Sequence, residues 1–186
     1  LKRNSIWDRL IMLFSTFGIA VPSFVLGTLL LYFFGIHLKM LPTIGLSTPA
    51  HFVMPAFALS FYPMCYIARL MRSSMLDVIS QDYIKTARAK GVSEMGVLFK
   101  HALRNAILPV LTYLGPMTAS IVSGGFAIEK IFSIPGLGQY FINSITSRDY
   151  AMIMGTTIFY AFLLITMNLI VDLLYGVVDP RIKLEQ

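Results

Sequence analysis

The chain has 186 residues and a formal net charge of +6; 56% of its residues are hydrophobic and only 13% are charged. Soluble domains carry about 25% charged residues, so this composition argues against an ordinary soluble domain and makes the membrane the first reading. The single cysteine, Cys65, excludes a disulfide framework and reads as a small apolar residue.

The first residue is Leu1, not Met. The basic start LKRNSIWDR precedes an apolar run that is too long for a secretory signal and has no small-residue cleavage site. The sequence therefore reads as part of a longer protein. Leu10 to Leu38 has no Lys, Arg, Asp or Glu, and neither does Met40 to Ala68. The second run is broken early by Pro42, Gly45 and Pro49, so its membrane part is expected to start near His51. Asn105 to Ile128 is the third apolar run, and Tyr150 to Val178, interrupted by Asp172, is the fourth. About 20 residues at 1.5 Å each cross a hydrocarbon core of about 30 Å. Backbone amides in lipid must bond within their own segment, so these runs predict helices. The expected spans are 10–36, 51–71, 105–128 and 151–177, within a transmembrane domain covering 1–178. The fold class is an all-α polytopic membrane protein.

Four crossings put the start, residues 69–104 and the tail 179–186 on one side. Of the 15 Lys and Arg residues, 12 fall on that side: Lys2, Arg3, Arg9, Arg69, Arg72, Lys85, Arg88, Lys90, Lys100, Arg104, Arg181 and Lys183. Lys39, Lys130 and Arg148 fall on the other. The asymmetry makes both ends cytoplasmic. It also accounts for the basic charge without nucleic acid as a partner. Prolines 22, 55, 63, 109 and 116 free backbone carbonyls within the spans. They fit packing kinks or a bundle that moves around a pathway. Asp172 lies near Asp179 and Arg181, where an ion pair or interface position is favoured over a proton relay.

Residues 76–104 form a cytoplasmic element. Leu76, Ile79, Tyr83 and Ala87 recur at helical spacing, while Gln81, Lys85 and Arg88 occupy another face. Asp82 and Lys85 stand one turn apart. Gly91 suits a helix C′ position with positive φ, and Ser93 suits the cap of a second helix with Glu94 in its first turn. Met95, Leu98, Phe99, Ala102 and Ala106 predict that helix's apolar stripe, and the helix is expected to continue into the third span past Pro109. Such a basic hairpin could lie on anionic headgroups. It could also be a docking lever, whose small residues Thr86, Ala87, Ala89 and Gly91 let a partner groove approach closely.

The stretch DYIKTARAKGVSEMGVLFKHALRNAILPVLT resembles the EAA-type loop of permease subunits of binding-protein-dependent ABC importers. The matching residues are Thr86-Ala87-Arg88-Ala89-Lys90, Gly91 and Ile107-Leu108-Pro109. Thr86 replaces the family's glutamate, as in the oligopeptide and dipeptide permease branch. KRNSIWDRL, FGIAVPSFVLG, AIEKIFSIPGLGQYF, RDYAMIMG and NLIVDLLYGVVDPRI extend the resemblance over nearly the whole chain. EKIFSIPGLG and DPRI resemble the B-type subunit. The resemblance implies the type I importer transmembrane fold, with spans three to six of a six-span subunit present. It implies a bacterial or archaeal cytoplasmic membrane, a heterodimer with a C-type permease, two cytoplasmic ATPases holding ATP and Mg, and an extracytoplasmic substrate-binding protein. It also implies that Thr86 to Gly91, with Glu94 and Pro109, form the ATPase-coupling loop. Peptides are the implied cargo, with nickel complexes or oligosaccharides as alternatives within the branch.

No G-x-x-x-x-G-K-[ST], G-x-S-x-G or H-E-x-x-H occurs, so no catalytic, cofactor or metal site is expected in this chain. His37, His51 and His101 fall in different elements. Ser120, Ser123 and Asn168 are polar positions that could line a substrate path or bond between helices. An ion-coupled secondary carrier is a rival class, with Asp172 its one intramembrane acid. An intramembrane hydrolase would need a histidine near Ser123 within the spans.

Overall fold

The computed structural model describes residues 5–122 and 125–178. Ser123, Gly124, Lys2, Arg3 and the tail 179–186, with Asp179, Arg181 and Lys183, lie outside the described residues. Every regular element among the described residues is a helix. The chain divides into two compact units. One contains the described residues up to Tyr66 together with Ala119–Leu163; the other contains Ile67–Thr118 and the described residues from Leu164 onward.

In the first unit, helix α1 (Ile6–Ala20) starts at Ser5, whose hydroxyl accepts from the Asp8 N–H at 3.2 Å. Helix α2 (Ser23–Leu30) follows and widens into a π-helical stretch at Leu31–His37. The expected span 10–36 is therefore not one helix: its two halves meet at 99°. Pro22 explains the break. It holds Val21 in an extended conformation (φ −86°, ψ 118°) and caps the second half, with its carbonyl accepting from Val25 and Leu26. Each half has 15 residues, or about 22 Å of helix, less than a hydrocarbon core of about 30 Å.

Helix α3 (Ala50–Ile79) has 30 residues and carries Pro55 and Pro63 inside it. Its first part packs Met54 and Ala58 against Ile128 and Phe132, all at most 2% exposed, within a ring of Leu30, Leu31, Leu41 and Ile134. Ile128 belongs to helix α7 (Phe126–Ile131). Helix α8 (Leu137–Ser147) and the first part of α9 (Tyr150–Val178) complete this unit.

The second unit holds the end of α3, helix α4 (Asp82–Ala89), a composite helix α5 over 94–106, helix α6 (Leu108–Val122) up to Thr118, and the end of α9. Three stretches are long and apolar enough to cross a membrane: Ala50–Ile79, Leu108–Ile131 and Tyr150–Leu174. The bent pair Ile6–Ala20 and Ser23–His37 makes a fourth if it counts as one crossing. Along α9, Ile158, Phe162, Ile165 and Leu173 are each more than 60% exposed. A helix this apolar on its open faces is suited to hydrocarbon and not to water.

Candidate functional site

The hairpin expected from the sequence is present, and its turn is built by local chemistry. Gln81 is extended (ψ 151°) and starts α4; Asp82 stands in the first turn and binds Lys85 Nζ at 2.8 Å. Helix α4 stops at Ala89, Lys90 caps it, and Gly91 has φ +78°. The Gly91 N–H donates to the Arg88 carbonyl at 2.9 Å and the Val92 N–H to the Ala87 carbonyl at 3.2 Å. This pair of bonds is the Schellman arrangement, which needs a left-handed C′ residue. Ser93 then caps the next helix by accepting from Gly96 N–H at 3.3 Å, with Glu94 behind it. Across the turn, Arg88 Nε and Nη2 donate to the two Glu94 carboxylate oxygens at 2.9 and 3.2 Å.

The expected apolar stripes are shifted. Leu76 and Ile79 belong to α3, which ends before α4 begins, so the periodicity does not run across Ser80 and Gln81. The residues of α4 turned inward are Ile84 and Ala87, whereas Tyr83 is 42% exposed. In the second helix, Met95 and Phe99 are exposed while Val97, Ala102 and Ala106 are fully buried. The reason is a π-helical turn at Val97–Ala102, which closes on the fifth residue and so moves the inward position from 97 to 102. Met75, Ile84, Ala87, Val97, Ala102 and Ala106 form one core, flanked by Met71, Val78, Val92 and Leu103. Asn105 Nδ2 also donates to Tyr83 Oη at 2.7 Å. Sequence spacing alone gives no sign of this bond.

The core makes α4, the turn and α5 one packed body with the end of α3. Its open face carries Thr86, Arg88, Ala89, Lys90, Gly91 and Glu94, all exposed. Ala87 departs from the expected docking set because its side chain is spent on the internal core. Pro109 lies beyond the hairpin, exposed in the first turn of α6. Its missing N–H removes one helical bond and matches the break at Ile107. An exposed ion pair such as Arg88–Glu94 is worth about 0.2–1 kcal/mol. Arg88→Ala is therefore expected to leave the thermal midpoint of the detergent-solubilised full-length protein nearly unchanged, and a shift of many degrees would contradict that.

The three candidate path residues do not form one recognisable site. Ser123 lies outside the described residues. Ser120 is exposed and belongs to the first unit, whereas Asn168 is half-buried and belongs to the second. Asn168 packs against Gly115, where a Cβ would stand 2.8 Å from its Oδ1. That is the signature of close helix packing. Asp172 is exposed on α9.

The first unit has a polar anchor that the sequence reading passed over. Glu129 is 7% exposed, and its Oε2 accepts from the Gln139 N–H at 2.9 Å in the first turn of α8. A Cβ at Gly136 would run into that carboxylate. Glu129 thus supplies the N-terminal acceptor that Gly136, lacking a side chain, cannot. Beside this anchor lies a cavity of about 320 Å³ between α7, α8 and α9. Among the described residues, no three His, Cys, Asp or Glu side chains are grouped to hold a metal ion.

A family model described as the binding-protein-dependent transport system inner membrane component matches residues 1–184. The chain is 53% identical over 186 residues to the dipeptide transport system permease protein DppB of Bacillus subtilis, covering all of this chain and 60% of that protein. It is 42% identical to the oligopeptide transport system permease protein OppB of Haemophilus influenzae, over 98% of this chain and 60% of the relative. It is 41% identical to the glutathione transport system permease protein GsiC of Salmonella typhimurium, over 97% of this chain and 59% of the relative. The chain thus spans about 60% of the length of the curated relatives it matches.

Proposed function

Because the chain belongs to the family of binding-protein-dependent transport system inner membrane components, we propose that it is the membrane-embedded permease part of an ATP-driven importer of peptides. The observation that carries this reading is the hairpin over 82–106, packed as one body and presenting an exposed face of small and basic residues. Two cytoplasmic ATPases dock there, and they hold the ATP and Mg. A second, C-type permease completes the pathway, and an extracytoplasmic binding protein delivers the cargo. Both ends of the chain are cytoplasmic, following the excess of Lys and Arg on that side.

The coupling step follows from the packing. When the ATPase pair closes, its groove moves Thr86, Arg88, Ala89, Lys90 and Gly91. The hairpin has its own core, so it moves as a unit instead of bending, and passes the motion through 103–111 into α6. Peptides are favoured over nickel complexes or oligosaccharides by the dipeptide, oligopeptide and glutathione permeases among the relatives. An ion-coupled carrier has less support, since Asp172 is the one acid within the fourth expected span.

The test is an affinity pull-down of the full-length protein from native membranes in mild detergent, read by mass spectrometry. A second permease, two ATPases and a binding protein loaded with peptides are expected. Arrival of the chain alone, or only with copies of itself, would overturn the importer reading.

A further inference from the structure

We propose that the cavity between α7, α8 and α9 receives the apolar or aromatic side chain of a transported peptide, an inference that rests on the importer reading above. Its walls are rings from Phe126, Phe141, Phe159 and Tyr160, with Thr156 and Thr157 between them. Both threonine hydroxyls are committed to their own helix: Thr156 Oγ1 donates to the Met152 carbonyl at 2.8 Å and Thr157 Oγ1 to that of Ile153 at 2.7 Å. They therefore present chiefly methyl groups to the cavity. Among the described residues that line it none is charged, which disfavours an ionic group there. The volume, about 320 Å³, lies at the lower end of the roughly 300–1,000 Å³ of small-molecule sites. That suits one large side chain or a very short peptide.

Two further features fit this occupant. The Glu129 anchor fixes α8 against α7, so the wall carrying Phe126 and Phe141 is set before any ligand arrives. In the orientation proposed above, the start of α9 lies next to Arg148 on the external side. A peptide released by a binding protein meets that end first.

The experiment uses the complete importer, with the full-length permease, its partner subunits and its binding protein, in proteoliposomes loaded with ATP. Uptake of radiolabelled Ala-Phe and Ala-Ala is compared. Thr157→Phe fills the cavity and Phe141→Ala removes a wall. Each is expected to lower Ala-Phe uptake about tenfold relative to Ala-Ala, the size of losing burial of one large apolar side chain. Selective loss of Ala-Phe in either variant supports the proposal. Equal loss of both peptides, or no loss in either variant, overturns it and leaves the cavity to lipid or to the second subunit. If the unmodified importer takes up neither peptide, the peptide-cargo reading fails and the cavity proposal falls with it, while the pull-down above still decides whether the protein is an importer.

Discussion

Gly91→Pro is expected to abolish peptide uptake while ATP hydrolysis continues and the protein stays in the membrane. The native φ at this position is +78°, and proline is fixed near −65°. Proline also removes the N–H that bonds the Arg88 carbonyl at 2.9 Å. The turn must then open, and the packed hairpin loses its fixed relation to the face that the ATPases grip. A Cβ at Gly91 would meet nothing within 4 Å, so a milder series isolates the backbone. Gly91→Ala and Gly91→Leu each carry a left-handed cost of about 1–2 kcal/mol, and asparagine carries less. Uptake per ATP hydrolysed, measured in proteoliposomes, should fall in the order Gly, Asn, Ala and Leu together, then Pro. Full transport by the proline variant would remove the hairpin from the coupling step.

Gly136→Val is expected to cost more folded protein than any other single change considered for the first unit. The added Cβ would occupy the space of the buried Glu129 carboxylate. Overpacking of this kind costs about 1–3 kcal/mol. Pushing the carboxylate away also leaves the Gln139 N–H without its acceptor, a further penalty of about 1–3 kcal/mol. Glu129→Gln keeps an acceptor oxygen in place and should be mild; Glu129→Leu should fall between the two. The readout is the yield of monodisperse full-length protein after detergent extraction, followed by thermal unfolding. Equal yields for Gly136→Val and the unmodified protein would show that Glu129 does not anchor α8.

The hairpin turn was legible in the sequence because each of its parts acts over a few residues. Gly91 closes a Schellman turn, Ser93 bonds three residues ahead, and Asp82 reaches Lys85 across one turn. The stripes around it were misread for a physical reason. Periodicity assumes an unbroken α-helix, and here Ser80 and Gln81 interrupt one helix while the π turn at 97–102 resets the other. Ala87, read both in the apolar stripe and in the docking face, is buried in one core with Val97 and Ala102. The bend inside the first expected span was equally hidden from periodicity. Composition showed 10–36 to be apolar, but Pro22 let the chain turn by 99° within it.

By itself, then, the sequence determined the solvent, the helical class and the local turn chemistry. Apolar length, backbone hydrogen bonding in lipid and short-range caps depend only on neighbouring residues. The tertiary structure alone decided the Tyr83–Asn105 bond, the Glu129 anchor and the aromatic cavity. Each of these joins residues ten or more positions apart, and their meeting depends on how the helices between them are bent and packed.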